Sequence, residues 1–174
     1  GIPIYFIHGN RDFLLGKKFA HQAGMTLLNE QTVIDLYGTD VVLLHGDEMC
    51  TQDIEYQKFR RKSRGWWWPR LMLSMPLWYR QRVARNARQK SKMSQQHKRS
   101  EILDVEPNAV QAMMHKYGVN TMIHGHTHRP GVHQTQGTTR IVLGDWYSQA
   151  SYLEASLDGL RLHYANKHQD VTLR

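Results

Sequence analysis

A chain of 174 residues, 40% of them hydrophobic, has the length of one domain with room for an insertion, and enough apolar side chains for a core. A single cysteine, Cys50, excludes an internal disulfide framework and fits a reducing compartment. The net charge of +8 calls for an anionic partner: nucleic acid, a phosphorylated substrate or an acidic lipid surface.

The chain opens on Gly1-Ile2-Pro3, with no charged segment before a long apolar run, so no signal peptide is expected. It reaches a strand almost at once and has no initiator Met, which suggests a piece of a longer protein. Residues 2–7 read as a buried strand running into the polar loop His8-Gly9-Asn10-Arg11-Asp12. Residues 13–23 predict a helix capped by Asp12 and stopped by Gly24. Strands are expected over 25–28, 32–37 and 41–44, the last ending in His45-Gly46-Asp47.

From Asp53 to about Asp104 the composition changes. Between residues 56 and 100 there is no Asp or Glu, yet this stretch holds 14 of the 23 Lys and Arg. A helix starts near Asp53, and Trp66-Trp67-Trp68 and residues 71–79 follow, apolar almost all round and flanked by arginines. Trp and Leu beside Arg and Lys fit an interfacial membrane segment or an acyl-chain slot better than plain core packing. No apolar run is long enough to span a bilayer.

Glu106-Pro107-Asn108 restarts a helix that Gly118 ends. Residues 119–123 predict a strand leading into His124-Gly125-His126-Thr127-His128-Arg129-Pro130. Another strand over 140–143 ends in Gly144-Asp145, and residues 152–164 form a hairpin about Asp158-Gly159. The tail from Lys167 reads as an ordinary polar terminus.

Strands thus run out into Gly9-Asn10, His45-Gly46 and Gly125-His126. In α/β sheets ligands bind beyond the carboxyl ends of strands, so these ends would converge if the strands share a sheet. Asn10, His45, His126 and His128 are the candidate metal ligands. Imidazole suits several divalent ions, and a neutral amide oxygen fits a hard ion such as manganese or magnesium. Absence of paired cysteines argues against structural zinc. The other histidines, His124 included, are read as structural, with His124 on the opposite side of its strand end.

The motifs Gly9-Asn10-Arg11-Asp12, His45-Gly46-Asp47 and Gly125-His126-Thr127-His128 together resemble the calcineurin-like metallophosphoesterases. The flanking Phe6 to Gly16 stretch, the run His124 to Pro130 and the basic aromatic insertion are similar to one branch of that family. That branch splits the pyrophosphate of a UDP-linked diacylated glucosamine in lipid A synthesis. The resemblance implies an α/β fold: a β-sandwich flanked by helices, incomplete at its N-terminus, over residues 1–174, with residues 53–104 as a helical cap insertion.

The resemblance also implies roles for residues. Asn10, His45 and His126 would hold one metal and His128 the other, with two Mn2+ per complete site. Asn10, Arg11 and His126 would be catalytic, Arg11 as a planar fork on the phosphate. Asn10, Arg11, Asp53, Ser91, Gln95, Lys98 and His126 would contact substrate, although Gln95 departs from the residue expected there. The family's Asp-x-His and Gly-Asp strand ends, which precede its Gly-Asn motif, are not in this chain. This segment alone is therefore expected to be inactive or to hold metal weakly. The implied location is the cytoplasmic face of a bacterial inner membrane, peripherally bound to its anionic surface, with no nucleic acid as partner. Two alternatives are a nuclease or other phosphodiesterase, with Trp rings stacking on bases, and a non-catalytic fragment bound to anionic membranes.

Overall fold

The structure, a computed structural model, describes residues 1–97, 102–147 and 150–172, with the side chains of 95–97 excepted. Its centre is a five-stranded sheet in the order β3-β4-β5-β7-β6, from β3 (Gln31–Leu36), β4 (Thr39–Leu44), β5 (Thr121–His124), β6 (Gly131–Thr135) and β7 (Thr138–Val142). β4, β5 and β7 run parallel, and β3 and β6 flank them antiparallel. A parallel strand is buried on both faces and reads as an unbroken apolar run. Val41 and Val42 are fully buried on opposite faces of β4, and all four residues of β5 are buried.

One face of this sheet packs on a second, three-stranded sheet, β8 (Tyr152–Ser156), β9 (Gly159–Tyr164) and β10 (Lys167–Val171). Val41, Ile123 and Ile141 meet Leu160, Leu162 and Val171 between them. The other face takes α5 (Pro107–Tyr117), whose Val110 and Met114 join Val42, Leu44 and Met122. Glu106 caps this helix on the amides of Asn108 and Ala109, and Gly118 ends it at φ +65°. The resulting β-sandwich with helical flanks is the α/β architecture expected.

Three expectations are corrected. The strand foreseen over 2–7 is β1 (Ile4–Phe6), and it is exposed rather than buried. Among the described residues it pairs with β2 (Met25–Leu27), outside the main sheet, and Ile4 and Tyr5 are exposed. The helix foreseen over 13–23 is the short α1 (Lys17–Gln22). Asp12 does not cap it; its carboxylate accepts the Gly9 amide and closes the loop instead. Lastly, residues 167–171 are not a polar tail: they form β10, paired along its length with β9.

The basic region is helical. α2 (Ile54–Ser63) starts at Asp53, whose carboxylate accepts the Tyr56 amide. α3 (Trp67–Ser74) and α4 (Leu77–His97) follow. Among the described residues no helix is long and apolar enough to cross a membrane. Trp66, Leu73, Leu77 and Trp78 are exposed.

Candidate active site

Parallel pairing brings two histidine loops together. Leu44 of β4 stands opposite His124 of β5, so the residues after them leave the sheet side by side. The Gly125 amide donates to the His45 carbonyl at 3.1 Å, fixing the two loops. His126 Nδ1 then lies 3.2 Å from His45 Nε2, with the rings edge to face. Glycine is needed at the approach: a Cβ on Gly46, at φ +106°, would lie 2.8 Å from His124 Nδ1. His126 and His128 themselves take positive φ, 68° and 55°. Non-glycine residues pay for such backbone, and strain of this kind collects at functional loops.

β1 delivers the third loop, although it belongs to another sheet. A Cβ on Gly9 would come within 3.1 Å of the His45 ring, so the Gly9-Asn10 turn packs on that imidazole. Asn10 is half-buried there. His128, two residues beyond His126, is half exposed, with Nδ1 3.4 Å from Asp145 Oδ2. Arg11 Nη1 donates to the Tyr147 hydroxyl at 3.1 Å. Asp53 is buried at the start of α2. Ser91 is exposed on α4, Gln95 lies in α4 with its side chain outside the described residues, and Lys98 lies outside them altogether.

Burial, then the neighbouring His126, lowers the pKa of His45 to about 4, and burial likewise lowers that of His126. Both imidazoles are neutral at neutral pH, as metal ligands must be. Two nitrogens about 2.1 Å from one ion stand about 3 Å apart when adjacent in its shell. The 3.2 Å pair therefore fits two donors to a shared ion. Among the described residues no three His, Cys, Asp or Glu side chains gather closely enough to hold an ion.

Beneath the pair lies a charged cluster that the sequence reading passed over. Asp47 is 1% exposed and its Oδ2 accepts the Tyr56 hydroxyl, Arg60 Nε at 3.1 Å and Arg64 Nη2 at 3.1 Å. Burial opposes its charge, but Arg64, the Tyr56 hydroxyl and Arg60 outweigh it and hold the carboxyl below its ordinary pKa. Tyr56, Arg60 and Arg64 recur every fourth residue, one face of a helix. That spacing was the available signal. His124 is also more than a strand-end residue. It is buried, with Nδ1 2.9 Å from the Gly125 carbonyl and Nε2 3.2 Å from Arg140 Nη1.

Histidines on strand-end loops above a sandwich define a class. The Calcineurin-like phosphoesterase family matches residues 1–130, and the chain belongs to that family. Within it, the chain is 49% identical to the UDP-2,3-diacylglucosamine hydrolase of Vibrio cholerae serotype O1, over 97% of this chain and 71% of that protein. It is 48% identical to the enzyme of the same name from Escherichia coli O7:K1, over 93% of this chain and 69% of that protein. A solved structure of Vacuolar Protein Sorting 29 from Cryptosporidium parvum matches with a TM-score of 0.49 at 12% identity, over 96% of this chain and 66% of that one.

Proposed function

We propose that the chain serves the metal-dependent hydrolysis of the pyrophosphate bond of UDP-2,3-diacylglucosamine in lipid A synthesis. Water attacks the α-phosphorus, giving UMP and 2,3-diacylglucosamine 1-phosphate. The observation that carries this reading is the 49% identity to a UDP-2,3-diacylglucosamine hydrolase over 97% of the chain, basic insertion included. Divalent cations, two Mn2+ in a complete site, supply an activated water and neutralise phosphoryl charge.

The chain's own residues do the rest. His45 and His126, neutral and preset 3.2 Å apart, offer nitrogens, and Asn10 offers an amide oxygen. His128 serves the second ion, beside Asp145. Arg11 presents a planar donor fork to phosphoryl oxygens, steadied by Tyr147. Asp53, Ser91, Gln95 and Lys98 meet the sugar and phosphate from the basic helices. Phe13, Phe59 and Trp68 form an aromatic cluster with centroids 5.9–6.5 Å apart. Arg64 lies over Phe13, and this cluster offers the acyl chains an apolar surface. The exposed Trp and Leu side chains of α3 and α4 rest on the cytoplasmic face of a bacterial inner membrane.

The test joins this chain to the Asp-x-His and Gly-Asp strand ends that the family carries ahead of Gly-Asn, and follows UMP release. Manganese-dependent release is expected, falling at least about 1,000-fold in His126→Ala. The chain alone should turn over far more slowly, because it lacks the carboxylate that would sit between two cations about 4 Å apart. No release from the joined protein at any manganese concentration, or full release by His126→Ala, overturns the reading.

A further inference from the structure

We propose that Tyr56 and Arg64 are positioning residues, which use Asp47 as a common anchor to set the spacing of the three candidate ligand loops. The inference rests on the metal-dependent reading above and deepens it. Each loop is reached by a separate contact. Tyr56 stacks on the His126 ring, at 6.0 Å and 27° between planes, while its hydroxyl donates to Asp47. Arg64 Nη2 donates both to Asp47 Oδ2 and to the Gly9 carbonyl, each at 3.1 Å, so it ties the Gly9-Asn10 turn to the same carboxylate. Asp47 itself follows His45 by two residues, across Gly46.

The arrangement is buried and braced from behind. Arg60 Nε donates to Asp47 Oδ2, and Arg60 Nη2 reaches Glu48 and Glu30 at 2.7 and 2.6 Å. Arg64 Nη1 lies 2.7 Å from Glu30 Oε1, off the N–H direction, which makes it an ion pair rather than a hydrogen bond. A cluster made only for stability would not need to touch the His126 ring and the Gly9 carbonyl as well. All these arms come from one side of α2, the first helix of the basic region, and its C-capping residue Arg64. The cap and the ligand loops are thereby one mechanical unit.

Groups that orient metal ligands change metal affinity by about 10–100-fold when removed. The experiment titrates Co2+ into the metal-free protein joined, as above, to the Asp-x-His and Gly-Asp strand ends, following visible absorption, and records a thermal melt of each variant. Tyr56→Phe keeps the ring over His126 and loses the hydroxyl; Arg64→Lys keeps charge and loses the fork. Each is expected to raise the Co2+ dissociation constant at least tenfold and to alter the spectrum. Glu106→Ala, which uncaps α5 away from the site, should lower the melting temperature and leave affinity and spectrum unchanged. If the joined wild-type protein binds Co2+ and both variants match it within twofold with the same spectrum, the positioning role is overturned. If the joined wild-type protein binds none at millimolar Co2+, the metal reading falls, and this inference with it.

Discussion

His45 and His124 carry the chain's most telling residue-level chemistry. Both have their pKa brought down to about 4, chiefly by burial. In the unfolded chain each would titrate near 6.5. Between those values the unfolded state binds protons that the folded state refuses. Stability therefore rises with pH across this window, is fully present above about 6.5, and is lost as pH falls toward 4. Urea midpoints of the metal-free chain should fall from pH 7 to pH 4.5. The fall should be shallower in His124→Gln, which keeps a neutral polar group facing Arg140. A midpoint flat over that range would show that these rings stay solvated.

Among the elements, β10 and α2 depart furthest from their sequence appearance. Lys-His-Gln-Asp-Val has one apolar residue in five, and only its end residue, Val171, is buried, against Leu160 and Leu162. Strand pairing supplies the rest: every β10 residue stands opposite one of β9. Val171→Asp places an unpaired carboxylate between the two sheets. It should cost about 3 kcal/mol, roughly 6–12 °C in melting temperature for a domain of this size. His168→Gln, on the exposed side, should stay within about 0.5 kcal/mol. Equal, small effects of the two would mean that β10 does not close the sandwich. α2 differs for another reason. Its apolar residues Ile54 and Phe59 are exposed, whereas Arg60 and the capping Arg64 are drawn under by three carboxylates contributed by Glu30, Asp47 and Glu48.

At the scale of the whole molecule, charge and apolar surface are segregated. The stretch from 56 to 100 has 14 basic and no acidic residues, and it exposes Trp66 at 78%, Trp78 at 65% and Leu77 at 60%. Amphipathic basic surfaces with exposed Trp and Leu bind anionic bilayers through both terms. The chain should float with vesicles containing phosphatidylglycerol and not with phosphatidylcholine alone. Added salt should weaken the binding, and Leu77→Ser with Trp78→Ser should reduce it at least fivefold. Equal binding to both lipids, or none, would remove the membrane from the account.

Much of this was legible in the sequence because it depends on short-range rules. β-branched runs made the parallel strands, Glu106-Pro107 and Gly118 bounded α5, and Gly-His-Thr-His and His-Gly-Asp marked the loops that meet. Those motifs also carried the family, which the match over residues 1–130 shows. What the sequence left open depends on which surfaces meet. Only the tertiary structure put β1 and β2 in a sheet of their own, gave β10 a partner, and folded Tyr56 and Arg64 onto Asp47. Local propensity and alternation are written into neighbouring residues. The worth of a buried charge or a polar strand is fixed by partners tens of residues away, and the sequence states those only through the finished fold.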